Sequence, residues 1–285
     1  MHLDPGPLVV VLVLLAAVLH ASWNAVAHAA DDRLAGFGLI SASTFAVGVV
    51  MVVVSRPVGW HWFWFAVGSA CLHVAYVLLL MASYQVADLS RAYPLSRGTG
   101  VALTAVASLV LPRSPLGPDV VAGVVLVVVG LVGVTFVGPR LTSRDKRGVA
   151  TALATGTAIA GYTVIDGLAV SGGAPVLAYG GWLMALHSGV VLGYALAKRR
   201  GAILHLPRRQ TLMALGGGVV SVLAYGLVLL AQTSGALAAV AALRELSIAF
   251  GVLLGAFVLH EAAARKRLLP ALVLTLGAVV LALSI

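Results

Sequence analysis

Apolar residues fill blocks of about twenty along nearly the whole chain, a block length that spans a hydrocarbon layer as a helix. The blocks are separated by short knots of arginine, proline, glycine and aspartate. They do not alternate with period two. A closed barrel is therefore disfavoured, and helices, which satisfy their own backbone hydrogen bonds in lipid, are the expected elements. The pattern predicts helices over Leu8–Ala29, Leu34–Val54, His61–Ser83, Asp88–Leu111 and Pro118–Gly138. A second set follows over Gly148–Val170, Pro175–Ala197, Gln210–Thr233, Ala236–Leu259 and Leu268–Ile285. Asp31-Asp32-Arg33, Arg56-Pro57, the stretch from Pro112 to Pro115, Gly138-Pro139 and Gly172-Gly173-Ala174-Pro175 mark the joints, since such residues break helices. The joints are short, which leaves no room for a soluble catalytic or DNA-binding domain.

The two sets match one another. A shift of 147 residues carries Arg97 onto Arg244 and Gly130 onto Gly277, and carries Thr104 and Ser108 onto Gly251 and Gly255. Ala75-Tyr76 meets Ala224-Tyr225 at a shift of 149. These ordered matches predict a duplication: residues 1–138 as one five-helix repeat, 139–147 as a basic connecting loop, and 148–285 as the second repeat. Five is odd, so the repeats enter the membrane in opposite directions. The expected fold is an all-α membrane protein of ten transmembrane helices in two inverted five-helix repeats, an arrangement found in transporters with midplane substrate sites.

Composition agrees. The 285 residues are 61% hydrophobic and 9% charged, where a soluble domain carries about 25% charge. The net charge of +9 would suggest nucleic acid in a soluble protein, but here it lies in and beside short loops, where it orients the chain. No nucleic-acid partner is expected. Arg33, Arg91, Arg140, Arg144, Lys146, Arg147, Lys198, Arg199, Arg200, Arg208, Arg209, Arg265, Lys266 and Arg267 fall on one side; Arg56 and Arg113 fall on the other. The positive-inside rule puts the crowded side in the cytoplasm and both termini outside. The expected place is the cell (plasma or inner) membrane, multi-pass, with the bilayer as solvent. No lysine or arginine precedes the first apolar block, which argues against a cleaved signal peptide. Cys71 is the only cysteine, so no internal disulfide forms, and it is read as a small buried hydrophobe.

Ionisable side chains inside a bilayer are costly and usually face a partner or a wet cavity. Arg97 and Arg244 occupy equivalent repeat positions. They either attract an anionic or zwitterionic substrate, for which the guanidinium fork is suited, or close an internal lock such as Arg244 with Asp166 or Arg97 with Glu245. Pro94 is expected to kink the fourth helix, and Gly98 and Gly100 to admit a neighbouring helix or a ligand. Tyr93 lies in the same stretch. His20 and Asn24 share a face with Trp23 beside them, which suits substrate binding, proton relay or plain interhelical bonding. His73, His187, Glu245 and Asp166 are further candidates for gating or proton coupling. Tyr76 and Tyr225 either line a cavity or bond between helices. Gly251 and Gly255 form a GxxxG crossing, internal or between two copies in a homodimer. No phosphate-binding loop or metal-ligand cluster is visible, so no enzyme, cofactor or metal is expected.

The motifs Leu19-His20-Ala21-Ser22-Trp23-Asn24, Asp88-Leu89-Ser90-Arg91-Ala92-Tyr93-Pro94-Leu95-Ser96-Arg97-Gly98-Thr99, Leu243-Arg244-Glu245-Leu246-Ser247 and His260-Glu261 resemble the EamA family of the drug/metabolite transporter superfamily. The likeness runs over nearly the whole chain. It implies ten helices in two inverted repeats and secondary transport, often export of metabolites. The branch with this fourth-helix motif looks like proteins placed near phosphonate use, which implies import of phosphonate-like anions as an alternative; a non-transporting scaffold or sensor subunit is another. Family members commonly carry Gly-Glu between the fourth and fifth helices of each half. Glu261 matches in the second half, but Pro112-Arg113-Ser114-Pro115 departs from it in the first. Many members are drawn with cytoplasmic termini, opposite to the charge count here.

Overall fold

The computed structural model describes residues 3, 6–28, 32–86, 89–110, 118–137, 143–235, 237–244, 257 and 264–283. Glu245, Ser247, Gly251, Gly255, His260, Glu261 and the 112–115 segment, all of interest in the sequence, lie outside the described residues. Among the described residues there is no strand. The helices are α1 (Pro7–His28), α2 (Arg33–Val54), α3 (Trp60–Val86), α4 (Leu89–Val110), α5 (Pro118–Phe136), α6 (Ser143–Ser171), α7 (Val176–Leu204), α8 (Arg208–Gln232), α9 (Leu237–Arg244) and α10 (Ala264–Leu283). Six of them, α1, α2, α3, α6, α7 and α8, are long and apolar enough to cross a membrane, and α5 carries a shorter apolar run. Rows of Val and Leu on their outer faces are exposed, such as Val50, Val53, Val190 and Leu223. Such a surface suits acyl chains and is too apolar for water.

Local chemistry sets the ends. Asp32 caps α2, its carboxylate accepting from the Ala35 amide at 3.0 Å. Gly173 turns the chain between α6 and α7 at φ 104°, where a side chain would be strained. Two helices outrun their apolar blocks. The basic connecting segment is partly helical, since α6 starts at Ser143 rather than Gly148. Helix α7 continues past Ala197 to Leu204, bending at Arg199 (φ −140°, ψ 25°). Lys and Arg are good helix formers, so a helix need not stop where its apolar block does. Helix α4 runs through Pro94 without a break in the helix. Cys71 is exposed on α3, not buried; a small thiol fits an apolar outer face as readily as a core.

The major packing pairs are α2 with α7, α5 with α10, α3 with α6, and α1 with α8; α4 lies on α6, α2 touches α8, and α3 touches α7. Several of these crossings are built on glycine, α2–α7 and α5–α10 among them. A Cβ at Gly48 would stand 2.7 Å from the Ala185 amide nitrogen, and one at Gly38 2.7 Å from the Ala195 Cβ. On α5 and α10, a Cβ at Gly277 would come 2.6 Å from the Val127 nitrogen, and one at Gly130 would overlap the Leu274 backbone. Only glycine permits helices to approach this closely. Gly98 and Gly100 serve the same end: their missing side chains leave room for Leu131, Leu274 and Ile159, so a helix takes the space in which a ligand was an alternative.

Candidate functional site

Polar side chains that cannot face lipid collect between α1, α2, α3, α6, α7 and α8. They surround a narrow cavity of about 40 Å³, lined by His20, Trp23, His73, Tyr76, His187 and Tyr225 together with Tyr162 and apolar or hydroxyl side chains of α2. Six of the residues singled out in the sequence thus meet in one place, although they lie on four different helices. A site of this volume holds about one to three water molecules.

Each histidine is oriented by a local bond. Trp23 Nε1 donates to His20 Nδ1 at 3.0 Å, so the proton of the neutral His20 ring sits on Nε2. Asn24 Nδ2 donates to the His20 carbonyl at 2.8 Å, tying down the same turn. His73 Nδ1 lies 3.0 Å from the Ser69 carbonyl one turn earlier, and His187 Nδ1 lies 2.8 Å from the Leu183 carbonyl one turn earlier. A carbonyl only accepts, so both of these rings carry their proton on Nδ1 and keep an accepting Nε2. The Nε2 atoms of His20 and His73 are buried and have no hydrogen-bond partner among the described residues. The aromatic wall is continuous: His73 stacks on Tyr162 with ring centres 3.9 Å apart and stands 5.2 Å from His187, while Tyr225 meets it edge-on at 5.1 Å.

Asp166 lies behind this wall on α6, with no exposed surface. Tyr179 donates to its Oδ1 at 2.6 Å and Tyr225 donates to its Oδ2. The Ser69 hydroxyl also faces the carboxylate and lies 3.3 Å from His73 Nδ1, placing Ser69 between Asp166 and the cavity histidine. Asp166 is thus held chiefly by hydroxyl groups, and Arg244 acts on it electrostatically.

Arg97, Arg244 and Tyr93 are buried beside the cavity but are not among its lining residues. Arg244 Nη2 donates to Thr163 Oγ1 at 3.3 Å, one turn before Asp166 on α6. Both guanidinium groups act electrostatically on His20. The cavity is therefore a histidine and tyrosine site with cations at its back. Tyr162, Thr163, Ser69 and Tyr179 were not singled out from the sequence. The signal was there in the i, i+4 spacing of Tyr162 with Asp166 and of Ser69 with His73, the same spacing that marked His20 with Asn24.

Toward the basic end of the helices a second cavity, of about 90 Å³, is lined by Asp32, Gly36, Leu206, Gln210 and Ile40. Ile40 also lines the histidine cavity, so one side chain stands between the two spaces. At the same end Arg199 Nε, at the bend of α7, pairs with Asp32 Oδ2 at 3.2 Å. No protein-family model and no curated protein matches the chain. A solved crystal structure aligns with it at 17% identity, covering 97% of this chain and 96% of that one, with a TM-score of 0.65. The likeness concerns the fold.

Proposed function

We propose that the chain is a secondary transporter of small polar metabolites, anionic or zwitterionic, and an exporter, working by alternating access between two inverted five-helix repeats. One observation carries the reading: membrane-depth groups that are costly to bury, from helices of both halves, gather around one cavity. Ionisable groups at that depth are rare and are read by default as marking substrate or ion pathways. The resemblance to the EamA family adds to it.

Two features of the packing support the duplication. Exchanging each helix with the one five places along leaves the set of principal contacts unchanged: α3 with α6 becomes α8 with α1, and α2 with α8 becomes α7 with α3. The glycine crossings obey the 147-residue shift as well. Gly38 on Ala195 becomes Ala185 on Gly48, and Gly130 on Leu274 becomes Gly277 on Val127. The cavity straddles the same relation, since Phe37 with Met184 and Ile40 with His187 are pairs at that shift. At about 40 Å³ the cavity is too small for a metabolite, which requires it to widen. Arg97 and Arg244 then stand at the back of the widened space as the attracting charges, with Tyr93, Trp23, Asn24, Tyr76 and Tyr225 around the substrate. His20, Asp166, His73 and His187 serve gating or proton coupling, as does Glu245 by its place in the sequence.

The test compares metabolites inside and outside cells that express the protein with those in cells that do not, and with those in cells expressing Arg97→Ala. A polar metabolite should accumulate outside with the native chain and not with the variant, both being present in the membrane at equal levels. An unchanged metabolite profile supports the scaffold or sensor reading instead, and normal export by Arg97→Ala removes the arginine from the site.

A further inference from the structure

We infer that His73 and His187 form a two-ring site for a single proton, shared between the halves of the molecule, and that His20 is not part of it. The inference rests on the transport reading only for its use; the site itself rests on geometry. His73 belongs to α3 and His187 to α7, and their ring centres are 5.2 Å apart in the same cavity. Each ring is anchored in the same way, its Nδ1–H donated to the backbone carbonyl one turn earlier, at Ser69 and at Leu183. The anchoring selects the tautomer in which Nε2 carries a lone pair. His73 Nε2 is buried with no hydrogen-bond partner among the described residues, and the residue is 5% exposed. His20 has the opposite tautomer, because Trp23 occupies its Nδ1, and so presents a donor to the cavity where the other two present acceptors.

Volume identifies the ligand. About 40 Å³ admits a few waters but no metabolite, and two accepting nitrogens call for a donor. A proton arriving on a cavity water adds to Nε2 of His73 or His187, and both Nδ1–H bonds remain on their carbonyls. The resulting N–H bonds to the other ring directly or through one water; release returns the proton to water. Two protons at this separation repel strongly in a poorly solvated site, so the pair holds one. The surrounding charges fit a gated site. Asp166 faces His73 through Ser69, while Arg244 acts on His73 and Arg97 on His20. Among the described residues, the phenols of Tyr76, Tyr162 and Tyr225 also pack on His73.

The experiment is nitrogen NMR on the full chain labelled with 15N-histidine in lipid nanodiscs, its eight histidines assigned through His20→Gln, His73→Gln and His187→Gln. With the rings neutral, His73 and His187 should show a bare Nε2, and His20 a bare Nδ1. On acidification the signals of His73 and His187 should move together with uptake of one proton. In His187→Gln the His73 midpoint should move by about one pH unit or more, the mark of coupled sites. Bare Nδ1 in the native His73 or His187 overturns the proposal whatever the variants do, and so does independent titration of the two rings. Metabolite export is read separately. Coupled rings without export would leave this site standing and sink the transport reading; export with uncoupled rings would do the reverse.

Discussion

Asp166 shows what a carboxylate needs at membrane depth. It is fully buried, and two phenol hydroxyls bond its two oxygens, one from α7 and one from α8. A hydrogen bond to a charged group contributes about 1.5–3 kcal/mol, and a bond lost from a buried anion is not replaced by solvent. Tyr179→Phe, which leaves the cavity lining untouched, should therefore destabilise the protein by about 2 kcal/mol. Thermal unfolding in detergent checks this, and Asp166→Asn should shrink the effect of the same substitution, because a neutral amide needs the phenol less. The sequence marked Asp166 as a buried charge but not its partners. Tyr179 and Tyr225 lie 13 and 59 residues away, and no local pattern joins them. Arg97 and Arg244 were legible as buried cations; their exclusion from the cavity wall was not, since it depends on how α4 and α9 turn against α6. Ile40, an unremarkable residue in an apolar block, matters only because it stands between two cavities. Shortening it in Ile40→Ala should let a thiol reagent reach a cysteine placed at Thr44, in a Cys71→Ser background, faster than in the parent; an equal rate would mean that Ile40 bars nothing.

At the scale of elements, the apolar blocks foretold helices α1 to α8 closely, because lipid leaves a twenty-residue apolar segment with no alternative to a helix, whereas most of the expected ninth helix lies outside the described residues. The differences lie where that constraint ends. Helix α6 begins early and α7 ends late, in basic segments whose structure is governed by helix propensity and local packing. Within α7 the bend at Arg199 returns Ile203 to the space beside Gly38, a contact that no periodicity announces. The glycines divide by what faces them. Gly130→Ala places a methyl group on the Leu274 backbone, so α5 and α10 must part, at a cost of about 1–3 kcal/mol for overpacking. Gly193→Ala meets nothing within 4 Å and should gain up to about 1 kcal/mol from helix propensity. Melting temperatures of the two variants should therefore move in opposite directions. A neutral Gly130→Ala would mean that the α5–α10 crossing is looser than the glycine spacing requires.

For the molecule as a whole, two features lie at opposite ends of the helices. Helix α3 opens on Trp60-His61-Trp62-Phe63-Trp64-Phe65, with Trp60 72% and Trp64 54% exposed. Amphipathic rings in this setting belong at a headgroup boundary. The α3 start faces the joint with only Arg56, while Arg33, Lys198, Arg199, Arg200, Arg208 and Arg209 crowd the far ends of α2, α7 and α8. Retention of lysine and arginine in the cytoplasm follows from this asymmetry. The positive-inside rule therefore predicts the Asp32–Arg199 pair and the Ile40-bounded cavity on the inner side, and the tryptophan rim outside. Because Cys71 is the only cysteine and is exposed, a Cys71→Ser background gives a clean reporter. In intact cells a membrane-impermeant thiol reagent should label His61→Cys at once and Arg208→Cys only after the membrane is opened. The reverse result would invert the molecule and move the Asp32–Arg199 pair to the outer face. The histidine site would survive that inversion, since it depends on tautomers fixed by helix carbonyls and not on which side supplies the proton.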